Sequence, residues 1–201
     1  MRKSLIAVFA LLVALIQISA VSAAPSITYR AHVEGEGWLR EVSDGEIAGT
    51  TGESRRLEAL VINIDDGRKS AVEYCAHVEG DGWQNWRTSG EIAGTTGRSM
   101  RMEAVKIRLI GRYAERYDIY YRAHVEGEGW LNWVKNGEIA GTTGQSMRME
   151  AIQIRLVDKN SSKNNRYDDD RYGNNRYDRY GNNRSHRDDY DNDRPHHRNR
   201  Y

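Results

Sequence analysis

The chain has 201 residues, 29% of them charged, with a formal net charge of +1 and a single cysteine, Cys75. That balance of charge excludes the one-signed field that captures nucleic acid non-specifically. One cysteine excludes an internal disulfide framework, so stability has to come from a buried core.

The N-terminus opens on Met1-Arg2-Lys3, continues through an uncharged apolar run from Leu5 to Ile16, and reaches the small residues Val21-Ser22-Ala23. This is the three-part grammar of a secretory signal peptide, and it predicts residues 1–23 as a cleaved leader. The apolar stretch falls short of the about 20 residues that span a bilayer core. The expectation is therefore a secreted chain, delivered outside the cell or to a periplasm, with no membrane attachment after cleavage. Losing Arg2 and Lys3 takes the mature chain to a net charge of −1.

From there the sequence repeats itself. The segment "GEIAGTTG" occurs at 45–52, 90–97 and 137–144. It sits inside a longer unit whose first tryptophans, Trp38, Trp83 and Trp130, give periods of 45 and 47. Self-similarity at a fixed period dominates any fold assignment. The units run over about 27–66, 72–110 and 119–157, within one domain at 24–157.

Each unit reads as β structure. "TYRAHV" alternates, with Tyr29, Ala31 and Val33 on one side and Arg30 and His32 on the other. "EGEG" and "EGDG" are glycine-bearing turns, "GWLNWV" is a second strand, and "KNG", "TSG" and "SDG" are turns. "GEIAGTTG" is expected to be a tight turn that returns the last, long strand of its own repeat. That strand, "RMEAIQIRL" in the third copy, puts Ile152, Ile154 and Leu156 on one face. No segment has a helical period. Three such units close around a common axis to hide their apolar faces. The expected fold is all-β and pseudo-threefold, β-prism-like, with the β-trefoil as the alternative.

After Leu156 the chain changes character, and residues 158–201 have no aliphatic residue and are dominated by Asn, Arg, Asp and Tyr. A segment of this composition cannot offset the entropy of ordering, which predicts a disordered tail. Its Arg-Tyr pairs suit weak adhesion through cation–π contacts, and a solvated spacer is the other reading. The adjacent His196 and His197 make a poor metal site by themselves, and no metal or cofactor is expected.

The stretch "AHVEGEGWLNWVKNGEIAGTTGQSMRMEAIQIRL", with its Gly-Trp, Ala-Gly-Thr-Thr-Gly and Glu-Ala-Ile elements, resembles the ChW repeat, a clostridial hydrophobic repeat with a tryptophan. The resemblance covers all three copies, roughly 27–156, and neither the leader nor the tail. It implies an extracellular bacterial protein built from surface, adhesion or polymer-binding modules.

The residues suggest where binding would sit. Trp38, Trp83 and Trp130 occur in every copy, whereas the position three further on reads Glu41, Trp86 and Trp133. In an ideal strand, positions three apart point to opposite faces. The first tryptophan is therefore expected in the core as a structural residue, and Trp86 and Trp133 are expected to be exposed. There they either stack on a sugar ring or pack on a neighbouring repeat. Gln84, Asn85, Asn132, His77 and His124 are the polar neighbours assigned to the same ligand. Glu58, Glu103 and Glu150 share strand parity with the apolar face, so each must be paired, and a structural role is expected. Cys75 replaces Arg30 and Arg122 of the other copies, at a position where exposure is usual. The acids of the "EGEG" turns recur three times, which suits binding better than one transition state, so no enzyme is expected. The expected partner is an extracellular polysaccharide or cell-wall polymer, with surface proteins as the alternative and no nucleic acid.

Overall fold

A computed structural model describes residues 25–64 and 71–164. The leader at 1–23 and most of the tail lie outside these residues.

Each repeat contributes two long strands and three two-residue strands. In repeat 1 these are β1 (Ile27–Val33), β2 (Gly37–Trp38), β3 (Val42–Ser43), β4 (Ala48–Gly49) and β5 (Leu57–Ile64). Repeat 2 has β6 (Val72–Val78), β7 (Gly82–Trp83), β8 (Arg87–Thr88), β9 (Ala93–Gly94) and β10 (Met102–Leu109). Repeat 3 has β11 (Tyr117–Val125), β12 (Gly129–Trp130), β13 (Val134–Lys135), β14 (Ala140–Gly141) and β15 (Met149–Asp158). A short helix, α1 (Arg112–Arg116), fills the connection that makes the second period longer than the first. The sequence reading has no helix there. β15 runs to Asp158 and a second helix, α2 (Lys159–Asn164), follows, so regular structure extends past the predicted start of the tail at 158.

The strands form three five-stranded antiparallel sheets, one built on each repeat. This is the all-β, threefold, prism-like arrangement expected from the repeats. The long strands pair within their own repeat, for example Tyr29 with Ile62 and Ala31 with Leu60. Their inward faces make one continuous core of aliphatic residues and the tyrosines Tyr29, Tyr74 and Tyr121. The alternation in "TYRAHV" is realised directly, since β1 is buried at every second residue.

The fifth strand of each sheet comes from another repeat. β4 pairs with β15, β9 with β5 and β14 with β10. Repeat 1 thus completes the sheet of repeat 3, repeat 2 that of repeat 1, and repeat 3 that of repeat 2. "GEIAGTTG" is this crossing strap, not a turn within its own repeat. Backbone bonds seat each strap: Gly45 N–H to Ile154 O at 2.7 Å and Thr50 N–H to Glu150 O at 3.0 Å, with equivalents from Gly90, Thr95, Gly137 and Thr142. Gly49, Gly94 and Gly141 lie so close to the strand they cross that a Cβ would collide with its backbone.

The tyrosines bolt the same junctions from inside. The Tyr29 hydroxyl donates to the Glu46 carbonyl and accepts from Ile154 N–H at 3.1 Å. Tyr74 does the same with Glu91 and Ile62, and Tyr121 with Glu138 and Ile107. A buried phenol retains its hydrogen-bonding needs, and here the backbone meets them on both sides. Burial pushes all three phenols up from their ordinary range, Tyr74 and Tyr121 to about 12.

Candidate functional site

Two layers of side chains cover the outward face of each sheet. The inner layer is a polar clamp repeated three times. In repeat 1 the pairing of β1 with β5 slips by one residue between His32 and Val33. The bulge keeps Leu57 opposite Val33 in the core and turns Glu58 out beside His32. This corrects the parity argument that put Glu58, Glu103 and Glu150 on the apolar face. Glu58 is nonetheless buried and paired, as a buried carboxylate must be. Arg56 forks onto one oxygen, Nε at 3.0 Å and Nη2 at 2.9 Å, and its Nη1 also donates to Glu34. The imidazole Nδ1 of His32 lies 3.1 Å from the second oxygen without lining up as a hydrogen bond. Glu103 with Arg101 and His77, and Glu150 with Arg148 and His124, repeat the arrangement. His77 and His124, assigned to a ligand from sequence, therefore face buried carboxylates of the clamp. The clamp ties the "EGEG" turn to the start of the long strand.

Trp38, Trp83 and Trp130 cap the clamp. Each ring meets its histidine edge-on, at centroid separations of 5.3, 5.2 and 5.3 Å. They are half-buried and stand outside the core, contrary to the sequence expectation. The physical reason is register. Trp38 pairs with His32, so it shares the outward face of His32 and Arg30. Parity counted forward to Glu41 fails because the strand stops at Trp38 and the chain bends before β3.

The outer layer is aromatic and cationic. Arg30 lies over Trp38 at 4.8 Å, Lys106 over Trp83 at 4.3 Å and Arg122 over Trp130 at 4.8 Å. Trp86 is exposed at 38% and carries the guanidinium of Arg108 at 4.2 Å. Trp133, expected to be exposed, is half-buried, with Arg122 at 4.8 Å and Arg155 at 4.3 Å from its ring. Both rings lie against cations of their own sheet. Asn85 and Asn132 are exposed beside them. Gln84 is turned inward: its amide accepts from Gly94 N–H at 2.8 Å and donates to Gly94 O at 3.3 Å, holding the strap. Cys75 is buried, not exposed, and burial raises its thiol. Sequence reasoning missed the five cations over the tryptophans. Their signal was present in the alternation of the long strands, which puts Arg30, Lys106, Arg108, Arg122 and Arg155 on one side and the apolar residues on the other.

The strap contributes one more recurrent feature. Ile47, Ile92 and Ile139 are 44–45% exposed in all three copies, each one residue before the buried alanine of its strap.

A family model described as Clostridial hydrophobic W, ChW, matches residues 32–66, 77–111 and 124–158, together just over half the chain. Each match begins at the clamp histidine and takes in the tryptophan, the strap and the long strand. Comparison with curated proteins and with solved structures found no match. With three copies of the repeat matched from clamp to long strand, the chain belongs to the ChW, Clostridial hydrophobic W, family.

Proposed function

We propose that the protein is a secreted, non-catalytic binding module that attaches to a polysaccharide or other cell-surface polymer through the outward faces of its sheets. The observation that carries this reading is the placement of Trp86 and Trp133 on those faces, with Arg108, Arg122 and Arg155 against their rings. An indole offers a flat apolar area to a sugar ring, and a guanidinium beside it supplies fixed donors. Five of the six acids of the glycine-bearing turns are paired with arginines: Glu34, Glu79 and Glu126 with the clamp arginines, Glu36 and Asp81 with Arg55 and Arg98. Several weak sites on one body gain avidity on a polymer long enough to reach more than one.

The test is a titration of the full chain with purified wall and plant-type polysaccharides, read by tryptophan fluorescence. A saturable shift that disappears in Trp86→Ala plus Trp133→Ala is the expected result. No shift with any polymer refutes the reading. The recurrent exposure of Ile47, Ile92 and Ile139 favours a second reading, attachment to a protein partner or to other copies of the chain. Concentration-dependent sedimentation without glycan binding would select it.

A further inference from the structure

Of the five tryptophans, Trp86 is the exposed one, and the groups around it specify a ligand. Arg108 lies over its ring at 4.2 Å. Glu73 fixes that guanidinium in place: its Oε2 accepts from Arg108 Nε at 2.9 Å and from Nη2 at 2.6 Å. Both bonds fall on Oε2, so Oε1 stays available as an acceptor and Nη1 as a donor. The Arg108 side chain is 47% exposed. Strand register makes the grouping. Glu73 stands opposite Arg108 across β6 and β10, and opposite Thr88 across β6 and β8. Cross-strand partners share a face, and Thr88 follows Trp86 by two residues. Indole, guanidinium, carboxylate and hydroxyl thus gather on the outward face of the repeat 2 sheet.

The other copies lack this set. Repeat 1 has Glu41, Thr28 and Asn63 at the positions of Trp86, Glu73 and Arg108, and repeat 3 has Trp133, Tyr120 and Arg155. The carboxylate therefore belongs to repeat 2 alone. Trp133 also differs in being half-buried, with two guanidinium groups near its ring. An exposed ion pair adds little to stability, so the pairing of Glu73 with Arg108 matters for what it presents outward.

Resting on the binding role proposed above, we propose that Trp86, Glu73 and Arg108 form a subsite for a neutral pyranose unit of a β-linked polysaccharide. A pyranose with equatorial hydroxyls has a flat face of C–H groups, which suits the indole. Its vicinal hydroxyls each donate and accept, so one can donate to Glu73 Oε1 while its neighbour accepts from Arg108. The two protein charges cancel. An anionic unit would meet the Glu73 carboxylate, and a cationic unit the Arg108 guanidinium, so both are disfavoured by repulsion. Lys106, the next cation along the face, lies over a different ring, Trp83, at 4.3 Å.

The experiment titrates the full chain by calorimetry with cellohexaose, a soluble mixed-linkage β-glucan, polygalacturonate and poly(glycerol phosphate). Saturable binding of both neutral ligands is expected, changing less than about twofold between about 50 and 300 mM salt. Trp86→Ala should weaken it at least about tenfold and Glu73→Gln at least about threefold. Trp133→Ala should leave cellohexaose affinity within about twofold. If Trp86→Ala does not fold, Glu73→Gln decides, because it keeps the shape of the side chain and removes its charge. Loss of glucan binding in Trp133→Ala but not in Trp86→Ala or Glu73→Gln overturns the inference and leaves the binding role standing. Preference for polygalacturonate or poly(glycerol phosphate), weakened by salt, overturns the ligand class and also leaves that role. Binding to none of the four removes both.

Discussion

Replacing Gly94 by alanine isolates the contact that joins one repeat to the next. Gly94 lies in the strap of repeat 2 where it crosses the long strand of repeat 1, at φ +97°, a conformation L side chains rarely adopt. An added methyl would run into the Glu58 carbonyl oxygen and come within 2.7 Å of the Ala59 Cα, both backbone atoms with no rotamer to yield. The conformational penalty is about 1–2 kcal/mol, and forcing a methyl into a filled site adds about 1–3 kcal/mol. The expected loss is therefore about 2–5 kcal/mol, against a total of roughly 5–15 kcal/mol for a domain of this kind. Gly97→Ala is the internal control. It also has positive φ, at +70°, but its Cβ would meet nothing within 4 Å, so it carries only the conformational penalty. Urea unfolding followed by tryptophan fluorescence gives both values, with the m-value checking that the unfolded states are comparable. Gly94→Ala should fall below Gly97→Ala by at least about 1–2 kcal/mol. Equal losses would mean that the close crossing contributes nothing, and the strap would no longer explain why the eight residues recur.

Three further outcomes follow from the same geometry. The phenols of Tyr29, Tyr74 and Tyr121 stay protonated in the fold, whereas unfolded phenols ionise from about pH 10. Stability should be full below that pH and fall as pH rises towards about 12, by about 4 kcal/mol for three tyrosines at one unit into the window. Tyr74→Phe should reduce that slope by a third, and a flat profile from pH 9 to 11, measured by urea unfolding at about unit steps, contradicts the bolt. Glu103→Ala leaves Arg101 and His77 facing a hole and should cost about 2–4 kcal/mol, discounted because Arg101 is partly hydrated; a loss below about 1 kcal/mol denies the clamp a structural role. On the binding reading, rebuilding the repeat 1 face with Thr28→Tyr, Glu41→Trp, Val61→Gln and Asn63→Arg should add a further polymer site and raise avidity for a long ligand but not for a short oligomer, as titration with both would show.

The fold was readable wherever one residue type has one physical use. Alternation gave the long strands and their inward faces, and the period gave the three sheets. Parity failed at two kinds of place, and both have a cause. Trp38 ends a two-residue strand, so counting on to Glu41 crosses a bend, and only the pairing with His32 reveals its face. Glu58 sits at a bulge, where one extra residue reverses the count. The crossing of the straps was not readable at all. A strand of two residues in one repeat carries no mark of which long strand it will pair with, because the three long strands offer the same Glu-Ala backbone to it. The outward cations were legible in the alternation but were not assembled into a face, since their grouping depends on cross-strand neighbours such as Tyr120 and Arg155.

Comparison of the three copies separates what the fold requires from what it leaves open. The strap, the clamp histidine, glutamate and arginine, the capping tryptophan and the core tyrosine are the same in each repeat. Among the positions that differ, Thr28/Glu73/Tyr120, Arg30/Cys75/Arg122, Val61/Lys106/Gln153 and Asn63/Arg108/Arg155 are cross-strand partners on the outward face of each sheet. Packing and strap exchange constrain all three copies alike, whereas the outward faces are left to differ. Repeat 1 also has a structural task beyond its own sheet. Its strap, β4, is the fifth strand of the repeat 3 sheet, and Gly45 from the same segment anchors the Gln153 that aims Arg122. Without repeat 1 the edge of β15 loses its partner and the arginine between Trp130 and Trp133 loses its support. Repeat 1 thus holds the outward face of the repeat 3 sheet in place, and the exchange of straps needs all three members.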